Sequence, residues 1–230
     1  MSKLKCQLHC HTHQDPIDSI RHTEHKLIDT AARLGYDVLA ISCHNVVIFN
    51  EDLRRYAEKK RILLIPAIEK SIRKKHVLIL NADVRAQSIQ SFEDLKKYKN
   101  LKKDCFIIAA HPYYPAMTSL GKKLEQHIGL FDAIEYSWFH SKKTNFLNEK
   151  TIKVASKHDL PVLATSDNHI LKYLDYSYSL IDAGKNIKSI FDAIRNKRIK
   201  IISHDLSIFL MLFIYCRMGI SRLIKILMPR

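Results

Sequence analysis

The sequence predicts an α/β fold built around a mainly parallel sheet that closes into a barrel. Short apolar, strand-like runs alternate with helical segments along most of the chain. Histidines and acids recur where those runs end, from His9 and His11 to Asp167 and His169. In closed α/β barrels, functional residues cluster at the carboxyl edge of the strands. We therefore expect these side chains to meet at one mouth of the barrel.

The first elements follow one another as strand and helix in turn. A strand over 5–8 precedes a helix over 26–34, whose apolar residues recur at helical spacing. Gly35 closes this helix in a C-cap position. The apolar run 37–42 predicts the next strand, and the charged segment 51–60 predicts the helix after it.

The same spacing criteria predict the remaining elements, without any convincing internal repeat. Two strands, 62–68 and 76–80, come before a short helix over 91–97. Further strands are predicted over residues 105–110, 133–136, 161–165, 178–181 and 199–202. Further helices are predicted over residues 121–127, 145–158 and 187–196.

Length and composition indicate one globular domain with a sizeable core. The chain has 230 residues, of which 47% are hydrophobic and 27% charged, and this composition excludes disorder over most of its length. Its five cysteines are odd in number and form no C-x-x-C pair, which favours reduced thiols inside a cell. The first residues lack the apolar stretch of a signal peptide. We expect a cytoplasmic protein.

The formal net charge of +15 favours anionic partners. Phosphorylated small molecules, nucleic acid and an anionic membrane surface all belong to this class. The alternative is a lysine-rich surface that is merely solvated.

The composition changes after His204, which predicts a barrel domain over 1–204 and a helical tail over 205–230. The first apolar run of the tail is too short to span a bilayer, since spanning needs roughly 20 apolar residues. Arg217, Arg222 and Lys225 follow it, so residues 206–227 could form an interfacial helix on an anionic membrane. The alternative, which we favour, is a terminal helix packed on the barrel or in a dimer interface. The oligomeric state is not predicted.

The histidines and acids have the chemistry and spacing of metal ligands. Residues at i and i+2 of a strand point the same way, so His9 and His11 can bind one ion together. Imidazole and carboxylate suit Zn, Mn or Fe, and a carboxylate such as Glu69 can bridge two cations. A structural zinc site needs only four ligands. This pattern offers eight, which favours a multinuclear catalytic centre: His9, His11, His44, Glu69, His76, His111, Asp167 and His169.

Six motifs follow one another in a fixed order. They are H-x-H-T from His9, a strand ending before His44-Asn45, P-x-I-E ending at Glu69, H-V-L-I-L from His76, H-P from His111 and S-D-N-H around Asp167. This series resembles the polymerase and histidinol phosphatase (PHP) family of metal-dependent phosphoesterases over residues 5–204. The resemblance implies a distorted seven-stranded β/α barrel with two or three divalent ions, Zn, Mn or Fe.

Carried over residue by residue, the resemblance implies the ligands of each ion. One ion is expected to bind His9, His11, Glu69 and Asp167. Glu69 would bridge to a second ion held by His76 and His111. The third ion would take His44 and His169, with Asp18 as the favoured further ligand and with Asp15 and His13 as alternatives. Ser42-Cys43-His44 stands where the family commonly has T-D-H, which could weaken the third site.

The resemblance further implies hydrolysis of a phosphomonoester by a metal-bound hydroxide. That hydroxide would be held by the groups around Glu69, His9, His11 and Asp167. The expected substrate is a small phosphorylated metabolite or nucleotide. A nuclease acting on nucleic-acid ends and a non-catalytic, metal-stabilised binding module are the alternatives. Glu135 also ends a strand and could face the pocket, but no role follows from its position.

Overall fold

The computed structural model describes residues 3–227, without the side chains of residues 217, 218 and 220–227. The side chains of Arg217, Arg222 and Lys225, on which the interfacial-helix hypothesis depends, therefore lie outside the described residues.

Within this part of the chain, nine strands form one mixed sheet. The strands are β1 (Lys3–Cys10), β2 (Val38–Ile41), β3 (Leu63–Ile72), β4 (Lys75–Leu80), β5 (Phe106–Ala109), β6 (Ala133–Tyr136), β7 (Val162–Ala164), β8 (Ser177–Asp182) and β9 (Ile199–Ser203). Their order across the sheet is β7-β6-β5-β4-β3-β2-β1-β8-β9.

The first six of the described helices lie in connections between strands and the last follows β9, all close to the predicted positions. They are α1 (Glu24–Arg33), α2 (Glu51–Lys59), α3 (Phe92–Leu101), α4 (Lys123–Gln126), α5 (Phe146–Lys157), α6 (Ile187–Arg195) and α7 (Ile208–Leu227). Four of them begin at a polar side chain that accepts a hydrogen bond from a backbone amide of the first turn. These caps are Thr23, Asn50, Ser91 and Asn186. A 3-10 helix at Val84–Ser88 was not predicted.

The sheet curls into a nearly closed barrel, which confirms the predicted fold class, although it has nine strands where the resemblance implies seven. At the mouth, the His11 amide donates to the Asn168 carbonyl (3.0 Å) and the Asn168 amide donates to the His9 carbonyl (3.1 Å). Deeper in the barrel, Oγ of Ser179 on β8 accepts from the Ala164 amide (2.9 Å) and donates to the Ala164 carbonyl (2.8 Å) on β7. These contacts join β7 to β1 and β8 without a regular ladder.

The expectation of a mainly parallel sheet is wrong for half of the strand pairs. β4 is antiparallel to both β3 and β5, and β8 is antiparallel to both β1 and β9. β3 and β4 form a hairpin whose two turn residues, Arg73 and Lys74, have φ of 47° and 69°. Positive φ at both positions is typical of the tight turns that join antiparallel strands. As a result, His76 at the start of β4 lies at the same mouth as Glu69 near the end of β3.

A bulge in β1 turns its histidine, His9, toward the mouth. The pairing with β2 shifts between Gln7 and Cys10, where β1 has one more residue than its partner. Before the bulge, Leu8 packs in the barrel interior, whereas Cys10 packs in the outer cluster under α1 and α2. A bulge reverses the alternation of side chains along a strand. His9, which would otherwise face the outer helices, is thereby directed inward.

α7 packs against the barrel through one face. Ile214 of α7, and Leu206 just before the helix, are buried beside Trp138 and Tyr173. The opposite face is apolar and exposed, and includes Phe209, which is 84% exposed. None of the helices in the described part of the chain is both long and apolar enough to cross a bilayer. The boundary at residue 204 stays a prediction.

Truncation of Phe106 should strongly destabilise the fold. The ring is fully buried in the barrel interior, with its centroid 4.8 Å from that of Phe191. Phe106→Ala removes this apolar surface and leaves a cavity, so the free energy of unfolding should fall by about 3–5 kcal/mol. Urea denaturation measures the change. Phe209→Ala, at an exposed site, is the control and should change it by about 0.5 kcal/mol or less.

Candidate metal centre

All nine side chains predicted as ligands lie at the same mouth of the barrel. Eight of them belong to overlapping groups, and the ligand atoms of each group lie within 4.8 Å of one another. One such group combines His9, His11, Glu69 and Asp167, and another combines His44, Glu69 and His76. His111 and the pair of His169 and Asp18 adjoin them. Whether each of these residues binds a metal ion stays a prediction.

Glu69 lies between two sets of imidazoles, and each of its oxygens faces one set. Oε2 lies 3.5 Å from Nε2 of His9, 3.4 Å from Nε2 of His11 and 3.0 Å from Nε2 of His44. Oε1 lies 2.7 Å from Nδ1 of His76 and 3.1 Å from Nε2 of His111. The side chain is 1% exposed. This is the geometry expected of a carboxylate that bridges two cations.

Buried carboxylates behind the cluster fix the orientation of its imidazoles. Nδ1 of His9 lies 2.9 Å from Glu135, and Nδ1 of both His11 and His44 lies 2.8 Å from the same oxygen of Asp15. A carboxylate can only accept here, so each Nδ1 donates its proton and each Nε2 faces Glu69. A carboxylate that holds the outer nitrogen of a histidine is typical of metal sites and fixes the tautomer of the ligand.

The third group of predicted ligands comes together around Asp18. Its Oδ2 lies 3.1 Å from Nε2 of His169 and 3.8 Å from Nδ1 of His44. Oδ2 of Asp15 accepts hydrogen bonds from the His11 ring and from the His44 amide, and its Oδ1 accepts from two further backbone amides. His13 instead approaches Glu24, with 3.3 Å between its Nδ1 and Oε1 of Glu24. The geometry favours Asp18 over the other two candidates.

Glu135 has a central position that sequence reasoning left without a role. Besides holding His9, it accepts hydrogen bonds from the His111 amide (2.7 Å) and from the Thr165 hydroxyl. It is 1% exposed and connects the ends of β1, β5 and β7. The available signal was its place at the end of a strand, which it shares with the predicted ligands.

The charges of the centre stabilise one another. Burial raises the pKa of Glu69 and of Asp167, but the neighbouring histidines lower both well below the usual value. Burial lowers the pKa of His44, yet Glu69 and Asp15 raise it to about 10. Burial also lowers the pKa of His169, but Asp167 and Asp18 raise it to about 9. A metal-free centre therefore retains protons at neutral pH.

Two residues of the centre have unusual backbone conformations. His111 and Asp167, which follow β5 and β7, have φ of 26° and 41°. Non-glycine residues rarely adopt positive φ, and such strain is concentrated at functional sites. In both cases the backbone turns sharply where the strand ends, and the side chain reaches the cluster.

The donor set fits divalent cations. Nε2 of His9 is buried and has no hydrogen-bond partner in the part of the chain that the structure describes. It lies 3.5 Å from Glu69 and 3.4 Å from Asp167. Two atoms that are each about 2.0–2.2 Å from one ion lie about 2.9–3.6 Å apart at tetrahedral or octahedral angles. The separations match those of neighbouring ligands on a shared ion.

Comparison with known proteins gives a partial family match. Residues 145–199, which span α5 to the first residue of β9, match the family model described as PHP-associated. A search of curated proteins finds no match to the chain.

Several solved structures are similar to the chain over most of its length. A two-domain protein from Bacteroides vulgatus, which contains a predicted PHP-like metal-dependent phosphoesterase, has 20% identity and a TM-score of 0.65, covering 94% of this chain and 70% of that chain. PsfC from Pseudomonas syringae has 13% identity and a TM-score of 0.61, covering 99% and 100%. The lesion-specific endonuclease PfuEndoQ from Pyrococcus furiosus has 18% identity and a TM-score of 0.60, covering 86% and 57%. At these identities the likeness is one of fold.

Metal loading should release protons, and metal affinity should rise with pH. Imidazole must be neutral to bind a metal, whereas the raised pKa values of His44 and His169 keep these rings protonated at every pH below about 9. Apparent affinity for Mn²⁺ should therefore increase steadily from pH 6 to pH 8. Calorimetric titration at pH 7 in two buffers of different ionisation enthalpy measures the protons released. We expect about one or more per protein, and a titration without net release would contradict this assignment.

Proposed function

We propose that the chain is a metal-dependent phosphoesterase acting on phosphomonoesters. The premise is that its fold and its PHP-associated segment make it a PHP-type protein. The match over residues 145–199 to the PHP-associated family model, and the fold shared with a protein that contains a predicted PHP-like phosphoesterase, support the resemblance stated from the motifs. The substrate, the identity and number of the ions, and the roles of individual residues belong to the proposal.

The observation that carries the proposal is the position of Glu69 between two sets of imidazoles. His9, His11 and His44 face one oxygen, and His76 and His111 face the other. Divalent cations bound at such a site polarise phosphoryl oxygens and lower the pKa of water.

Some residues of the chain would bind the cations, and others orient the imidazole rings that would bind them. Asp167 and Glu69 supply negative charge that holds cations, while Nε2 of His9 and His11 point between them. Glu135 and Asp15 keep the outer nitrogen of each ring protonated, so that Nε2 stays available. No protein nucleophile is required, because water activated by bound cations would be the attacking group.

Activity should depend on the cluster and on no other histidine. Protein loaded with Mn²⁺ or Zn²⁺ is expected to hydrolyse p-nitrophenyl phosphate. Loss of an outer partner of a ligand reduces activity by about 10–100-fold, so His9→Ala, which removes a ligand, should reduce kcat/KM by about 100-fold or more. His158→Ala is the matched control, because His158 pairs with Glu125 outside the cluster, and it should leave the rate unchanged. A wild-type protein that binds both metals but hydrolyses no phosphomonoester would support the non-catalytic module instead.

A second candidate function, cleavage at nucleic-acid ends, is favoured by a basic groove. Arg73, Lys75, Lys96 and Lys123 line a cavity of about 680 Å³ beside the β3–β4 hairpin. Lysine and arginine side chains attract phosphate backbones, and one structural neighbour is an endonuclease. Release of nucleotides from oligonucleotides, without hydrolysis of small phosphomonoesters, would favour this function over the first.

The exposed face of α7 supports a further proposal, peripheral contact with an anionic membrane. Phe209, Leu212 and Phe213 are 84%, 59% and 56% exposed. Residues 206–230 contain no acidic side chain and include four Lys or Arg residues. An apolar helix face combined with basic residues is typical of interfacial helices.

The membrane proposal predicts co-sedimentation with phosphatidylglycerol vesicles at low ionic strength. Combining Phe209→Ser with Phe213→Ser should abolish it, because both rings would insert into the interface. Neutral phosphatidylcholine vesicles are the control and should bind much less. Wild-type protein that stays in the supernatant with both lipids would contradict the proposal.

A further inference from the structure

A cavity of about 410 Å³ opens directly onto the predicted metal centre. Six of the predicted ligands form part of its lining. The rest comes from residues 114–118, residues 137–139, and Tyr215 and Gly219 of α7. Its volume is in the range of small-molecule sites. The terminal helix thus forms part of the wall of the site.

Aromatic rings form a continuous row from the metal centre along this wall. The ring centroid of Tyr114 lies 6.3 Å from that of His111 and 5.4 Å from that of Phe139. The Phe139 ring lies 5.5 Å from Trp138, which in turn stacks on Tyr173 at 6.1 Å. Because each ring packs against the next, the wall is a preformed surface. Preformed aromatic surfaces bind flat apolar groups at little entropic cost.

The cavity lining has no Lys or Arg among the residues whose side chains the structure describes. Outside the predicted ligands and the Trp138 indole, its polar side chains are hydroxyl groups, such as those of Thr118, Ser137 and the tyrosines. A second phosphate or a nucleic-acid backbone requires Lys or Arg contacts. The basic side chains of Arg73, Lys96 and Lys123 line a different cavity. This lining suits one phosphoryl group at the metal centre and an uncharged remainder beside the rings.

We propose that this cavity selects phosphomonoesters whose leaving group is an aromatic or similarly flat apolar group, with Tyr215 as a specificity-determining residue. This inference rests on the proposed phosphoesterase function for its reactive phosphate. Tyr215 lines the cavity, and the residue is 61% exposed. It therefore borders the open side of the cavity, where a bound aromatic group would cover it. Truncation there removes contact surface without opening the core.

Trp138 allows the proposal to be tested without turnover. It is the only tryptophan of the chain and lies in the cavity lining. Phenylphosphonate and methylphosphonate carry the same head group and resist hydrolysis. Titration of the Zn²⁺-loaded protein, followed by Trp138 fluorescence, gives the Kd of phenylphosphonate, and competition gives that of methylphosphonate. Phenylphosphonate should bind about tenfold more tightly, since its ring is buried against the aromatic wall.

Variants of α7 show which residue is responsible for the tighter binding of phenylphosphonate. Tyr215→Ala should raise the Kd of phenylphosphonate by about threefold or more and leave that of methylphosphonate unchanged. Phe213→Ala is the matched control, because this exposed aromatic residue of the same helix does not line the cavity, and it should change neither Kd. Equal affinities for the two phosphonates would overturn the proposal. An undiminished preference in Tyr215→Ala would overturn the role of Tyr215.

A comparison of two esters separates this inference from the function on which it rests. 2-Phenylethyl phosphate and ethyl phosphate have leaving alcohols of similar basicity, so a difference in kcat/KM reports binding of the ring. A lower KM for the phenyl compound supports the proposal. Equal hydrolysis of both, with equal phosphonate affinities, overturns the selectivity and leaves the phosphoesterase function intact. Phenyl-selective binding without hydrolysis of either ester supports the ligand class and overturns the phosphoesterase function.

Discussion

The burial of the Glu69 carboxylate is the constraint on which the rest of the centre depends. An isolated carboxylate in a protein interior is unfavourable by several kcal/mol, so it requires positive charge or hydrogen-bond donors around it. Within the described part of the chain, its ion-pair partners are five imidazoles and no Lys or Arg. Those rings satisfy the carboxylate when they are protonated, and divalent cations would do so when they are neutral. The same arrangement thus contributes to the raised pKa values of His44 and His111, and it accounts for the fit to metal ions.

The barrel brings these groups together through local departures from a regular sheet. The bulge in β1 turns His9 inward, and the β3–β4 hairpin reverses the direction of β4 so that His76 reaches the mouth. Positive φ at His111 and Asp167 directs two further side chains into the cluster. Glu135 then connects three strand ends through His9, His111 and Thr165. The irregular positions of the fold are therefore the ones that build the site.

Much of the fold and the membership of the site follow from the sequence, because apolar runs mark strands and the predicted ligands lie where those runs end. The direction of β4 does not follow from the sequence, because the turn at Arg73 and Lys74 has none of the Asn or Gly residues that signal such a hairpin. The roles of Asp15 and Glu135 depend on distances between segments remote in sequence. The contribution of Tyr215 to the cavity could not be predicted either, because the sequence does not say where α7 packs.

The most direct test of the account is the position of bound metal relative to Glu69. Anomalous diffraction from crystals of the Mn²⁺- or Zn²⁺-loaded protein locates the ions without reference to activity. We expect at least two peaks, one on each side of the carboxylate and each about 2.0–2.3 Å from one of its oxygens. A single ion that Glu69 does not contact, or metal bound only away from His9, His76 and His111, would contradict the account.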